Sequence, residues 1–216
     1  MDLLELNKIT VAYQGKNVLQ NISFNIKKKE IICVIGESGC GKTTLLKAIQ
    51  GLLDCSKGKI LYKGKLLEGA SEKLVPGTEG ISTVYQDFNL EEHMNVYYNV
   101  QRELKHLKKQ EQEKITKKLL KVCQIQQLSD RFPRQISGGQ RQKVALAKAL
   151  ITEPELILLD EPFSNLDTIS KQSFKSLINT LKQDKGLSFL YVTHDIADAL
   201  TFADKIIILE KGKVVL

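Results

Sequence analysis

The 216-residue chain is 42% hydrophobic and 26% charged, with a formal net charge of +7, an ordinary globular composition that excludes disordered and fibrous classes. Its longest apolar runs, such as LILL and IIIL, fall far short of the roughly 18 to 20 residues a membrane-spanning helix needs. The start MDLLELNK carries two acids early and lacks a basic start followed by an apolar run, so it is not a secretory signal and a cytosolic location is expected.

LLELNKITVAY and VLQNISFNI read as strands, and EIICVI follows as the solid apolar run of a buried parallel strand. The next residues, IGESGCGKTT, place Gly36, Gly41, Lys42 and Thr43 in G-x-x-x-x-G-K-[ST] spacing between that strand and a helix expected over 42–49. Such a loop, here Gly36, Glu37, Ser38, Gly39, Cys40 and Gly41 with Thr44 behind, lets backbone N–H groups curl around a β-phosphate. Lys42 then reaches the β and γ oxygens, and the Thr43 hydroxyl can ligate Mg²⁺.

GKILY and GISTVYQ are two further strands. Between Asp87 and Gln135 the pattern turns polar, lysine-rich and helical, which reads as an insertion. It ends at RFPRQISGGQ, where Pro133 disfavours helix in Phe132 and the glycines allow a tight turn. Within it, 102–121 carries eight basic and three acidic residues on one expected helix, with Leu104, Leu107, Ile115 and Leu119 available for packing. A solvated face is the main reading of this charge, and contact with lipid headgroups the other.

ISGGQRQKVALAKAL is a two-glycine turn opening into an amphipathic helix with Val144, Ala147 and Leu150 on its buried face. A helix start of this build suits an anion, because its N–H groups are unpaired and carry about half a positive charge. ELILLDEP is a buried strand ending in Asp160, placed to hold Mg²⁺ through water, and Glu161, placed to polarise an attacking water. A helix over 167–183, the strand LSFLYVTH, a helix over 195–202, and the strand DKIIILE turning into KVVL complete the chain. Strands alternating with helices mean an α/β core. Cys33, Cys40, Cys55 and Cys123 have no metal or disulfide spacing. Cys40, close to a helix start, would favour the thiolate and offer oxidative control.

These motifs, with ISGGQ at 136–140, SNLD at 164–167 and His194 in VTHD, resemble the ATP-binding cassette (ABC) ATPases, specifically their nucleotide-binding subunit, over nearly the whole chain. The resemblance implies one ABC domain with a P-loop NTPase core, a mostly parallel sheet, an N-terminal antiparallel β portion and a helical subdomain. The core would take 1–86 and 153–216, and the helical part 87–152. It also implies a head-to-tail dimer, of identical or related copies, that binds two ATP molecules with Mg²⁺. Ser137, Gly138, Gly139 and Gln140 would then contact a γ-phosphate held by the other copy. Tyr13 would stack on adenine, Gln86 would reach Mg²⁺ and water, and His194 would hydrogen-bond the γ-phosphate. Asp167 would touch the neighbouring copy while capping its own helix. Ile136, Cys40, Asn165 and Thr43 depart from the family's usual residues without removing a donor, acceptor or charge.

The expected activity is ATP hydrolysis coupled to transport by separate transmembrane permease subunits, with this chain peripheral on the inner face of the membrane and no nucleic-acid partner. A short permease helix would enter a cleft near 86–98. RQISGGQRQKVALAKAL favours an importer, although YQDFNL also resembles cassettes for lipoprotein release or peptide export. A soluble non-transport ABC protein fits less well, since 36 and 137 lie too close to flank a long coiled coil.

Overall fold

A computed structural model describes residues 2–13, 15–74 and 76–215. β1 (Asp2–Tyr13) and β2 (Lys16–Lys27) form a long antiparallel hairpin, and β4 (Lys57–Tyr62) and β5 (Lys65–Leu66) extend it. The result is a four-stranded antiparallel sheet in the order β2-β1-β4-β5. The short β5, which the sequence pattern does not announce, pairs Leu66 with Leu61.

The second sheet is built from β3 (Ile31–Ile35), β6 (Ile81–Val84), β7 (Leu156–Asp160), β8 (Ser188–Thr193), β9 (Lys205–Glu210) and β10 (Lys213–Val214). Its order is β10-β9-β3-β8-β7-β6. All neighbours run parallel except β10 against β9. Leu216, the end of the KVVL stretch, lies outside the described residues. Among the described residues there are six α-helices: α1 (Lys42–Gln50), α2 (Val96–Gln101), α3 (Lys109–Val122), α4 (Gly138–Ala149), α5 (Thr168–Lys185) and α6 (Ile196–Phe202).

β3, β7 as far as Leu159 and the middle of β8 are continuous apolar runs because both faces of the sheet are covered there. Successive side chains alternate between two cores. Ile32, Val34, Leu156, Leu158, Leu190 and Val192 pack with α1 and the antiparallel sheet. Cys33, Ile35, Ile157, Leu159, Phe189 and Tyr191 pack with α4, α5 and the aromatic pair Phe163 and Phe174. Burial pushes the Cys33 and Cys123 thiols up to about 12, which keeps both protonated and unreactive.

The expected single helix over 102–121 is instead broken. α2 passes into a 3₁₀ turn at Arg102–Leu104, the chain turns through Lys105–Lys108, and α3 starts at Lys109. Leu104 is buried at this turn, and Gln112 Nε2 donates to the Leu107 carbonyl at 2.8 Å, closing it. Seven lysines of the segment still face solvent. Among the described residues no helix is long and apolar enough to cross a membrane.

Candidate functional site

Parallel register sets the site. Ile35 pairs with Thr193, Val192 with Asp160, and Leu159 with Val84. The residues that follow β3, β8, β7 and β6, namely the glycine loop, His194, Glu161 and Gln86, therefore emerge along one edge. This is the carboxyl edge, where open α/β sheets place their ligand crevice.

The loop after β3 is tightly constrained. A Cβ on Gly36 would land on the Leu209 carbonyl and on Cys40 Sγ, so no larger residue fits without moving backbone. The loop is backed by the β9–β10 turn, whose Gly212 donates its N–H to the Cys40 carbonyl at 3.1 Å and accepts from Gln20 N–H at 2.7 Å. Cys40 is 8% exposed and packs beneath the loop in the core with Leu19 and Leu45. That placement counts against the expected oxidative control through Cys40: its side chain fills the space behind Gly36 rather than facing solvent.

Lys42 starts α1 with its side chain 8% exposed. Its Nζ donates to the carbonyls of Gly36 at 2.7 Å and Glu37 at 3.1 Å and lies 3.6 Å from the Glu161 carboxylate. Next to it, Thr43 Oγ1 donates to Asp160 Oδ2 at 3.1 Å. Burial raises the Asp160 carboxyl above its ordinary range, and the Thr43 hydroxyl offsets part of that rise. Glu161 Oε2 and His194 Nδ1 are 3.0 Å apart, with the imidazole 60% exposed and the carboxylate 12%. One open pocket is lined by Ser38, Gly39, Lys42, Thr43, Gln86 and Asp160 together with Glu161.

The remaining expected residues lie elsewhere. Tyr13 is 54% exposed at the β1–β2 turn and does not line this pocket, whereas Val18 of β2 does. Ser137 caps α4: its Oγ accepts from Gln140 N–H at 3.3 Å, and Gln140 Oε1 accepts from Ser137 N–H at 3.0 Å, a reciprocal capping box. None of 137–140 lines the pocket around Lys42. Gly139 is buried, and a Cβ there would come within 2.9 Å of Ser170 Cβ on α5. Its lack of a side chain thus serves close helix packing inside the same chain. The N–H groups of Gly138 and Gly139 have no bond to the protein among the described residues. Asp167 is exposed and caps α5, accepting from Ser170 N–H at 2.9 Å and from Ser170 Oγ at 2.7 Å. The Ser170 hydroxyl, with its backbone N–H, holds the Asp167 carboxyl below the ordinary range.

A larger groove of about 750 Å³ runs between the parallel sheet and the inserted helices, past Tyr85, Phe88, Leu104, Leu107, Ile115 and Ile151. Of the segment 86–98 it takes in Phe88 and Asn89, while 93–95 and Tyr98 line a separate depression with Arg102, Lys105 and Phe132. Gln142 is missing from the sequence reading although it lies 1% exposed beside Glu161. As one polar residue in a helix rich in them, it carries no local signal of burial.

The family model for "ABC transporter" matches residues 19–164. A Fe(3+) ions import ATP-binding protein of Haemophilus influenzae is 41% identical over 214 residues, covering 98% of this chain and 60% of that protein. A spermidine/putrescine import ATP-binding protein of Clostridioides difficile is 38% identical, covering 99% of this chain and 61% of the relative. A maltose/maltodextrin import ATP-binding protein of Vibrio cholerae is 39% identical, covering 98% and 56%. The chain thus spans about 60% of the length of the curated relatives it matches. Among solved structures, cbiO1 of Clostridium perfringens, part of an ABC transporter complex, superposes with a TM-score of 0.89 at 29% identity over 100% of this chain and 87% of that one. An ATP-binding cassette solved as a dimer in a post-hydrolysis state with ADP and Pi superposes at 0.84, also at 29% identity, over 99% and 97%. The chain belongs to the ABC transporter family.

Proposed function

We propose that this chain is the ATP-hydrolysing subunit of an importer, closing with a second copy or a related cassette around two ATP molecules. One observation carries the hydrolysis: the ends of adjacent parallel strands bring Lys42, the Thr43–Asp160 pair and the Glu161–His194 pair to one pocket edge. The N–H groups of 36–41 and Thr44 receive the β-phosphate, and Lys42 reaches the γ oxygens. Thr43, Asp160 and Gln86 offer the oxygen donors that a hard cation takes, so Mg²⁺ fits there. When bound, that ion neutralises charge on the phosphate oxygens. Glu161 takes a proton from the attacking water as its oxygen adds to the γ-phosphorus and ADP leaves. His194, held through Nδ1 by Glu161, keeps Nε2 for the γ-phosphate.

Ser137, Gly138, Gly139 and Gln140 serve the site of the other copy. Their helix start stands outside their own pocket, and its free N–H groups suit an anion. Asp167, exposed beside them, meets the neighbour, and the Tyr13 ring offers adenine a face worth about 1 kcal/mol. Import is favoured by the relatives, which are import ATP-binding proteins for Fe(3+) ions, spermidine/putrescine and maltose/maltodextrin. The groove past Phe88, Leu107 and Ile151 would receive a short helix of a membrane subunit, which would hold this chain on the inner face of the membrane. The test is ATP turnover by the purified chain beside Glu161→Gln. The variant is expected to lose hydrolysis and to dimerise only with ATP; a monomer at saturating ATP would refute the shared-site reading.

A further inference from the structure

Gln142 sits on α4, the helix that begins at Ser137, and is 1% exposed. Its Nε2 donates to the Pro162 carbonyl, immediately after Glu161 in the chain. That bond orients the amide, because a carbonyl oxygen turned toward another would repel it. Oε1 is left facing away, buried and without a partner among the described residues. Such an atom is uncommon in a native protein and points to an ordered water. Gln142 lines a cavity of about 10 Å³, which is room for one water, bounded also by Gln86, Asp160, Glu161 and Asn165.

Backbone strain at Glu161 is an independent observation. Its φ is +47°, a left-handed conformation uncommon for a side-chain-bearing residue. Three anchors enforce it. The Glu161 N–H donates to the Val192 carbonyl at 3.0 Å, the Glu161 carbonyl accepts from Ser164 Oγ at 3.0 Å, and Gln142 holds the carbonyl of the next residue. The first two come from the neighbouring strand and turn, but the third comes from α4.

We propose that Gln142 is a positioning residue for Glu161. It clamps the carbonyl of Pro162, the residue after the strained glutamate, and its Oε1 accepts from a buried water that reaches the polar groups around Glu161. The inference rests on the hydrolytic reading above and adds to it a path between the two nucleotides of a dimer. The start of α4 feels the other copy's γ-phosphate, and a residue one turn further along holds the carboxylate that acts in its own site.

The experiment compares Gln142→Met with the unchanged chain. Methionine keeps the length and volume while removing the N–H donor and replacing the amide oxygen with a weakly accepting sulfur. Turnover is expected to fall on the order of tenfold to a hundredfold, the scale of a small misplacement of a reacting group. The KM for ATP and the ATP-induced dimer of the Glu161→Gln background should stay within about twofold, since ground-state binding is untouched. If the variant melts early, turnover is read well below its own midpoint. Gln142→Glu keeps the size and the acceptor but not the donor, and should show the same loss. Turnover within about twofold of the unchanged chain in either variant, or a rise in KM matching the fall in turnover, overturns the proposal. An unchanged chain without any ATPase would overturn the hydrolytic reading itself, which the variants alone cannot do.

Discussion

Replacing Asp198 by Asn is expected to cost about 2 kcal/mol of stability, at the point where α6 is held beneath His194. Asp198 Oδ2 lies 2.8 Å from Lys171 Nζ and Oδ1 lies 3.0 Å from Lys175 Nζ. The carboxylate is 8% exposed and the two lysines 27% and 19%. A hydrogen bond to a charged group contributes about 1.5–3 kcal/mol. An asparagine oxygen can still accept from one lysine, and the ammonium heads keep a route to water, so the loss amounts to about one such bond rather than two. In a chain of this size that lowers the melting temperature by roughly 4–8 °C. Asp195→Asn is the control. Its carboxylate is 41% exposed, Lys171 stands 3.7 Å away, and asparagine caps α6 about as well, so less than about 0.5 kcal/mol is expected. Urea unfolding of both variants measures the difference. Equal losses within about 0.5 kcal/mol would refute the argument that burial makes the Asp198 pairs count. Asp198 also raises the Lys171 ammonium above its ordinary value. Its contribution is therefore complete at neutral pH and disappears only as pH climbs through that raised value.

Three further outcomes follow from the same geometry. Lys42→Met removes an ammonium placed among Gly36, Glu37 and Glu161, and should weaken ATP binding by about tenfold to a hundredfold in a fluorescent-nucleotide titration while the melting temperature holds. Gly139→Ala puts a methyl 2.9 Å from Ser170 Cβ and should destabilise the chain by about 1–3 kcal/mol in urea unfolding, with partial recovery in the double variant carrying Ser170→Gly. Glu155, whose carboxyl Lys63 and then Lys28 hold below the ordinary range, stabilises the fold above the unfolded carboxylate value and loses that role as pH falls through its depressed folded value. The stability gap between the chain and Glu155→Gln should accordingly be present at pH 7 and close in acid, as read by melts across pH.

The glycine loop, Asp160, Glu161 and His194 are legible in sequence because each follows a solid apolar run, and parallel strands deliver their ends to one edge. The long-range geometry is less legible. The break between α2 and α3 occurs without proline or glycine, and depends on Leu104 finding a buried site that no periodicity announces. Gly139 reads as a residue kept for a phosphate, yet its bare Cα also lets α5 approach, a fact that belongs to Ser170, 31 positions away in a different helix. Tyr13 is found at a strand end as expected, but the side chain that lines the loop pocket from that sheet is Val18, whose β-branched character is indistinguishable from that of any strand residue.

The turn from Leu209 to Gly212 gives the glycine loop its floor, although it stands more than 160 residues later in the chain. A fragment stopped before Lys205 would keep every recognisable motif and still lack the surface against which the loop is moulded. Competence to grip a phosphate would then await that distant hairpin, which must emerge and close underneath first.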